Sequence, residues 1–114
     1  MTLREDRALL RLFLPECAVF DGQDAWRAVI EYLRLSGVAG ATAYRGRAGF
    51  TARGPISTDA IEVLSGDLPV VIEAVDRPER IEAVVENVRA MAGSRALMTV
   101  EKVEALIEHG GTTA

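Results

Sequence analysis

Leu68-Pro-Val-Val-Ile-Glu-Ala-Val-Asp-Arg-Pro-Glu-Arg-Ile-Glu-Ala-Val-Val-Glu-Asn-Val-Arg-Ala-Met-Ala-Gly93 places a strand directly before a helix, and the rest of the chain can be read outward from it. Residues 68–75 are almost wholly apolar and rich in β-branched side chains, which suits a buried strand. Asp76-Arg77-Pro78-Glu79 resembles a capping box. Asp76 can accept from N–H groups of the first turn, Pro78 is tolerated there, and Glu79 is placed to reach back. Ile81, Val84, Val85, Val88, Met91 and Ala92 then form one stripe at helical spacing, and Gly93 supplies the stop.

Upstream, residues 61–64 are also strand-like, separated from 68–75 by Ser65-Gly66-Asp67, so the two runs read as one broken strand with a bulge or tight turn. Residues 8–14 (Ala-Leu-Leu-Arg-Leu-Phe-Leu), ended by Pro15, predict the first strand. A helix is expected from Asp21, which can cap it; Trp26, Val29, Ile30 and Leu33 recur at helical spacing, and Ser36-Gly37 ends it. Residues 38–45 read as a second strand running into a loop. Downstream of Gly93, residues 96–107 predict a last strand with a kink near Val100-Glu101, and 108–114 a mobile tail with nothing to bury.

The resulting β-α-β-β-α-β order is the ferredoxin-like arrangement, an α+β fold in which two helices cover one face of a four-stranded antiparallel sheet. At 114 residues and 49% hydrophobic content, the chain is expected to form a single domain over residues 1–114. Val70, Val71 and Ile72 in succession put apolar side chains on both faces of the sheet, which predicts a homo-oligomer built around the uncovered face.

Residues 37–54, which enclose the second strand and run on into the loop after it, hold five glycines and three arginines. Glycine at that density is expected where the backbone needs positive φ or a close approach. Gly46 and Gly49 can let backbone N–H groups converge on an anion, and Arg45, Arg47 or Arg95 can grip phosphate or carboxylate oxygens bidentately. The alternative is that the glycines serve a hairpin or bulge and the arginines are solvated. Residues 47–59 read as a long loop with few core-quality side chains. Phe50 can anchor it or meet a partner, and Thr51, Ser57 and Thr58 are candidate modification sites.

Other function classes are argued against by composition. Thirteen Lys and Arg against 17 Asp and Glu give a net charge of −4, unsuited to nucleic-acid binding. No signal peptide or membrane span is evident, so a soluble cytoplasmic protein, not itself membrane-embedded, is expected. Cys17 is the single cysteine, which removes disulfides and thiolate-rich metal sites and suits an inert thiol. His109 with Glu104 and Glu108 is read as solvent-exposed and not as a metal site. Ser57, Asp59 and His109 have no spacing that sets a nucleophile beside a base. Glu62 and Glu73 receive no chemistry, and Trp26 reads as a core or interface residue. No catalytic residues and no metal ligands are assigned.

Leu10-Arg-Leu-Phe-Leu, Gly37-Val-Ala-Gly-Ala-Thr, Arg45-Gly-Arg-Ala-Gly-Phe, Asp67-Leu-Pro-Val-Val-Ile-Glu and the Val-Asp-x-Pro-Glu-x-Ile start of the second helix resemble, in order and spacing, the family catalogued as domain of unknown function 190 (UPF0166), which looks like a branch of the PII-like signalling proteins. The resemblance covers about residues 8–107. It implies a homotrimer with sheets facing inward and small-molecule sites in the clefts between neighbours. By position, it carries ligand binding to Arg45, Gly46, Arg47, Ala48 and Gly49, and to Gly93, Ser94 and Arg95. Phe50, Thr51, Arg53, Ser57 and Thr58 fall in the loop that would meet a partner. The implied function is a non-catalytic sensor of a small anionic ligand, with an adenine nucleotide as the candidate, regulating a membrane transporter, channel or enzyme. The alternative implied by other relatives is a trimeric metal-tolerance or stress protein without a nucleotide site.

Overall fold

The computed structural model describes residues 1–49 and 68–108. The candidate partner-contacting residues Phe50, Thr51, Arg53, Ser57 and Thr58, the strand half at 61–64, and the tail from His109 lie outside the described residues.

Among the described residues, six strands and two helices follow in chain order: β1 Thr2–Pro15, β2 Val19–Phe20, β3 Gln23–Asp24, α1 Ala25–Leu35, β4 Ala41–Arg45, β5 Pro69–Asp76, α2 Pro78–Ala92 and β6 Leu97–Glu108. β4, β5, β1 and β6 pair in that order into one antiparallel sheet, while β2 and β3 form a separate short ribbon. Apart from that ribbon, this is the expected β-α-β-β-α-β fold.

Strand alternation divides the sheet into two chemically different faces. Ala8, Leu10, Leu12 and Leu14 of β1 and Val70, Ile72 and Ala74 of β5 are buried beneath the helices. They meet Ala25, Val29 and Leu33 of α1 and Ile81, Val84, Val88 and Ala92 of α2, which are the buried stripes of those helices. Leu14, Leu33, Ile72 and Ile81 have no exposed surface at all. At roughly 1.5–3 kcal/mol for each fully buried side chain of this size, this layer supplies most of the drive to fold.

The opposite face carries Leu9, Phe13, Val71 and Val75, with Leu97 beside Phe13 on β6 and Tyr44 beside Val71 on β4. Val71 is buried, Phe13 half-buried, and Tyr44, Val75 and Leu97 are exposed. Apolar side chains on both parities are thus present as expected. A charged group sits among them: Arg11 Nε donates to Glu73 Oε2 at 2.8 Å, and its Nη1 donates to Glu101 Oε1 at 3.3 Å. The Glu73 hydrogen bond is the main cause that holds the Arg11 guanidinium above its ordinary pKa.

Several boundaries differ from those expected. β1 begins at Thr2 and not at Ala8, because residues 2–7 pair one for one with 103–108 of β6. Their charges fall on both faces and hide the alternation that marks a half-buried strand. β6 keeps a single register from Phe13↔Leu97 to Thr2↔Glu108, so no kink interrupts it at Val100-Glu101. Its last residue, Glu108, accepts from the Thr2 hydroxyl at 2.7 Å and the Met1 ammonium at 3.0 Å, which lowers its pKa. The expected tail start at 108 is therefore strand.

Asp21 does not cap α1. It occupies a two-residue turn with Gly22, both at positive φ (51° and 80°), joining Val19–Phe20 to Gln23–Asp24. An Asp-Gly pair of this kind favours a hairpin turn whose twist matches its strands. The N-cap is Asp24. β4 begins at Ala41, three residues later than expected. Asp76 likewise stands one residue before the α2 N-cap, Arg77, and acts as a junction. Its Oδ1 accepts the Arg77 N–H at 2.6 Å and its Oδ2 the Ala39 N–H at 2.9 Å, with Arg80 Nε 3.6 Å away. Burial pushes the Asp76 carboxyl up, but the two N–H donors and then the Arg80 and Arg7 guanidiniums outweigh it, leaving its pKa below the ordinary value.

Candidate functional site

Arg45 closes β4 opposite Val70, and the next N–H, of Gly46, extends the ladder by bonding to the Pro69 carbonyl at 2.8 Å. The chain then passes closely over the Pro69 ring. A Cβ at Gly46 would stand 3.4 Å from Pro69 Cγ, and one at Gly49, whose φ is +151°, would stand 3.2 Å from it. The tight approach to Pro69 and the positive φ account for glycine at 49, whereas a Cβ at position 46 would make an ordinary contact. The Gly46 N–H is used within the sheet. Arg47 is exposed on the bend.

Arg45 Nη2 donates to Glu16 Oε2. Glu16 follows β1, and its N–H bonds to the Leu68 carbonyl at 3.1 Å. The pair thus reaches across the start of β5, the strand lying between β4 and β1. The guanidinium side chain is 61% exposed and the carboxylate side chain 26%.

The second segment lies where α2 meets β6. Gly93 ends the helix at φ 87°, its N–H bonding to the Arg89 carbonyl at 3.3 Å and its carbonyl accepting from the Ala96 N–H at 3.3 Å. Ser94 is exposed and Arg95 half-buried. Gly93 and Arg95, with Arg89, Leu12, Leu97 and Met98 among their neighbours, line a cavity of about 190 Å³ whose walls are mainly apolar. Sequence reading omitted Arg89 and Met98. The signal for Arg89 was its place one turn before the terminal glycine of α2.

Both segments stand at one end of the sheet, where β1 and β4 finish and β5 and β6 begin. They occupy opposite edges, because β4 and β6 are the outer strands. Three strand spacings, about 14 Å, lie between those edges. Within one chain the β4 segment and the Gly93–Arg95 segment are therefore separate.

Glu73, considered with Glu62 as a carboxylate pair, is engaged by Arg11; Glu62 lies outside the described residues. Trp26 packs against the core with the Arg27 guanidinium 4.7 Å from its ring centroid. Cys17 is exposed. Among the described residues no three His, Cys, Asp or Glu side chains converge as a metal site, and no helix is long and apolar enough to cross a membrane.

The sequence profile of the DUF190 family, described as "Uncharacterized ACR, COG1993", matches residues 7–105. A UPF0166 protein of Aquifex aeolicus (strain VF5) is 31% identical over 100 residues, covering 88% of this chain and 93% of the relative. UPF0166 protein MJ1524 of Methanocaldococcus jannaschii is 32% identical over 92 residues, covering 81% and 84%. Among solved structures, the apo form of CPII from Thiomonas intermedia K12, a nitrogen regulatory PII-like protein, has a TM-score of 0.65 at 13% identity, covering 95% of this chain and all of that one. CPII bound to ADP, AMP and acetate has a TM-score of 0.61 at 13% identity, covering 90% and 91%. A putative PII-like signaling protein from Thermus thermophilus has a TM-score of 0.60 at 11% identity, again covering 90% and 91%. These structures share the fold. With a profile match across nearly the whole chain and relatives above 30% identity, the chain belongs to the DUF190 family and has a PII-like fold.

Proposed function

We propose that this chain is a non-catalytic regulatory protein of the PII-like kind. Three copies associate through their open sheet faces, a small anionic ligand, with an adenine nucleotide as the candidate, occupies the clefts between neighbours, and the liganded state is passed to a partner transporter or enzyme.

The observation that carries this reading is the separation of the two arginine-bearing segments onto opposite edges at one end of the sheet. A closed ring of identical subunits sets one edge of each copy against the opposite edge of the next. Arg45 and Arg47 of one copy would then share a cleft with Gly93, Ser94 and Arg95 of its neighbour, giving guanidinium groups on one side and a mainly apolar recess on the other. Such a cleft suits a ligand with a charged end and a flat, less polar end. Solved structures of CPII with ADP and AMP belong to the same fold, which supports the choice of ligand class.

Light scattering on the purified chain and calorimetry with ADP and AMP test the reading together. The expected result is the mass of three chains, saturable binding of at least one nucleotide, and loss of that binding in the Arg45→Ala, Arg95→Ala double variant with the mass unchanged. A mass equal to one chain would remove the shared cleft, and undiminished affinity in the double variant would move the site elsewhere.

A further inference from the structure

We infer that Glu16 is an internal competitor for the anion at Arg45 and sets how much negative charge a ligand can carry there; this rests on the placement of the anion at Arg45 proposed above. The Arg45 guanidinium is not an open cation. It already donates to the Glu16 carboxylate, which occupies the position of an anionic ligand oxygen at Nη2. Glu16 is the less exposed of the two, and its own backbone is tied to Leu68, so it stays beside Arg45 whether or not its side chain keeps the contact.

An incoming phosphate or carboxylate must either displace Glu16 or share Arg45 with it. A guanidinium has five N–H donors, so sharing is geometrically open, but it leaves two negative groups side by side. Repulsion between like charges grows with the charge of the ligand. Glu16 thus disfavours highly charged ligands more than singly charged ones and has no direct electrostatic effect on neutral ones. An exposed ion pair couples its partners weakly, so removing the competing charge should tighten anion binding by about threefold.

Inorganic phosphate is the probe, followed through the Nε–Hε resonance of Arg45 in the full chain. Glu16→Gln keeps the shape of the side chain and should lower the half-saturating phosphate concentration about threefold. Glu16→Asp keeps the charge and should stay near the unsubstituted protein. Glu31→Gln changes net charge equally at a site on α1 and should leave the titration unchanged. A half-saturation in Glu16→Gln equal to that of the unsubstituted protein, or an equal tightening by Glu31→Gln, overturns the inference. Arg45→Ala separates this outcome from failure of the site itself. If ADP affinity survives Arg45→Ala, the anion does not sit at Arg45; if it is lost while Glu16→Gln tightens nothing, the site stands and Glu16 has no part in it.

Discussion

The Asp76 carboxylate holds the Ala39 N–H at 2.9 Å across 37 residues of sequence, joining the entry to β4 to the β5–α2 junction. Its other oxygen takes the Arg77 N–H, so one side chain fixes two changes of chain direction. Asp76→Ala should destabilise the fold by about 1–2 kcal/mol at pH 7, read by urea unfolding. The folded-state pKa lies below the ordinary 3.8, so this contribution is present above that value and is lost as pH falls through the folded pKa. The gap between the two proteins should stay constant from pH 7 down to about 5 and close only in stronger acid.

Gly22 holds φ at +80° with nothing within 4 Å of where a Cβ would stand. Strain in Gly22→Ala is therefore backbone strain alone, and the variant should lose about 1 kcal/mol in urea unfolding with little change in the far-UV spectrum. No loss would mean that the β2–β3 turn relaxes without cost.

Ile72 is completely buried between the sheet and both helices. Ile72→Ala should cost about 2–5 kcal/mol, a spread set by how far α1 and α2 can close over the space left. Thermal unfolding reads it as a large fall in midpoint.

Val75 and Leu9 pair on the open face of the sheet, and Val75 is 39% exposed in the single chain. If that face is the surface between copies, Val75→Glu should reduce the mass in light scattering to one chain while leaving the circular dichroism spectrum intact. Leu35→Glu, at the more exposed end of α1, should leave the mass unchanged.

What was legible in the chain follows from where its signals lie. The stripe from Ile81 to Ala92 and the run Leu10, Leu12, Leu14 are local periodicities created by the buried face, and they marked the helix and strand that carry it. Residues 2–7 are strand because β6 pairs with them, a fact about a segment a hundred positions away that their own charged sequence does not contain. The Asp21-Gly22 pair carries two signals at once, because aspartate before an apolar helix stripe reads as a cap as well as a turn residue. At the site, Gly49 stands where a Cβ would crowd Pro69, a neighbour brought there by the pairing of β4 with β5 and not marked in the glycine-rich stretch itself. The pairing of Arg45 with Glu16 had no local signal, since the two meet only when β5 lies between their strands.

The ammonium group of Met1 rests 3.0 Å from the Glu108 carboxylate, whereas Arg45 and Gly93 lie near the far end of β1. About twelve residues of extended chain, roughly 40 Å, separate the two poles. A fluorophore or surface tether attached at residue 1 would stand well clear of the arginine-bearing end, so the molecule can be immobilised for ligand screening without obstructing that end.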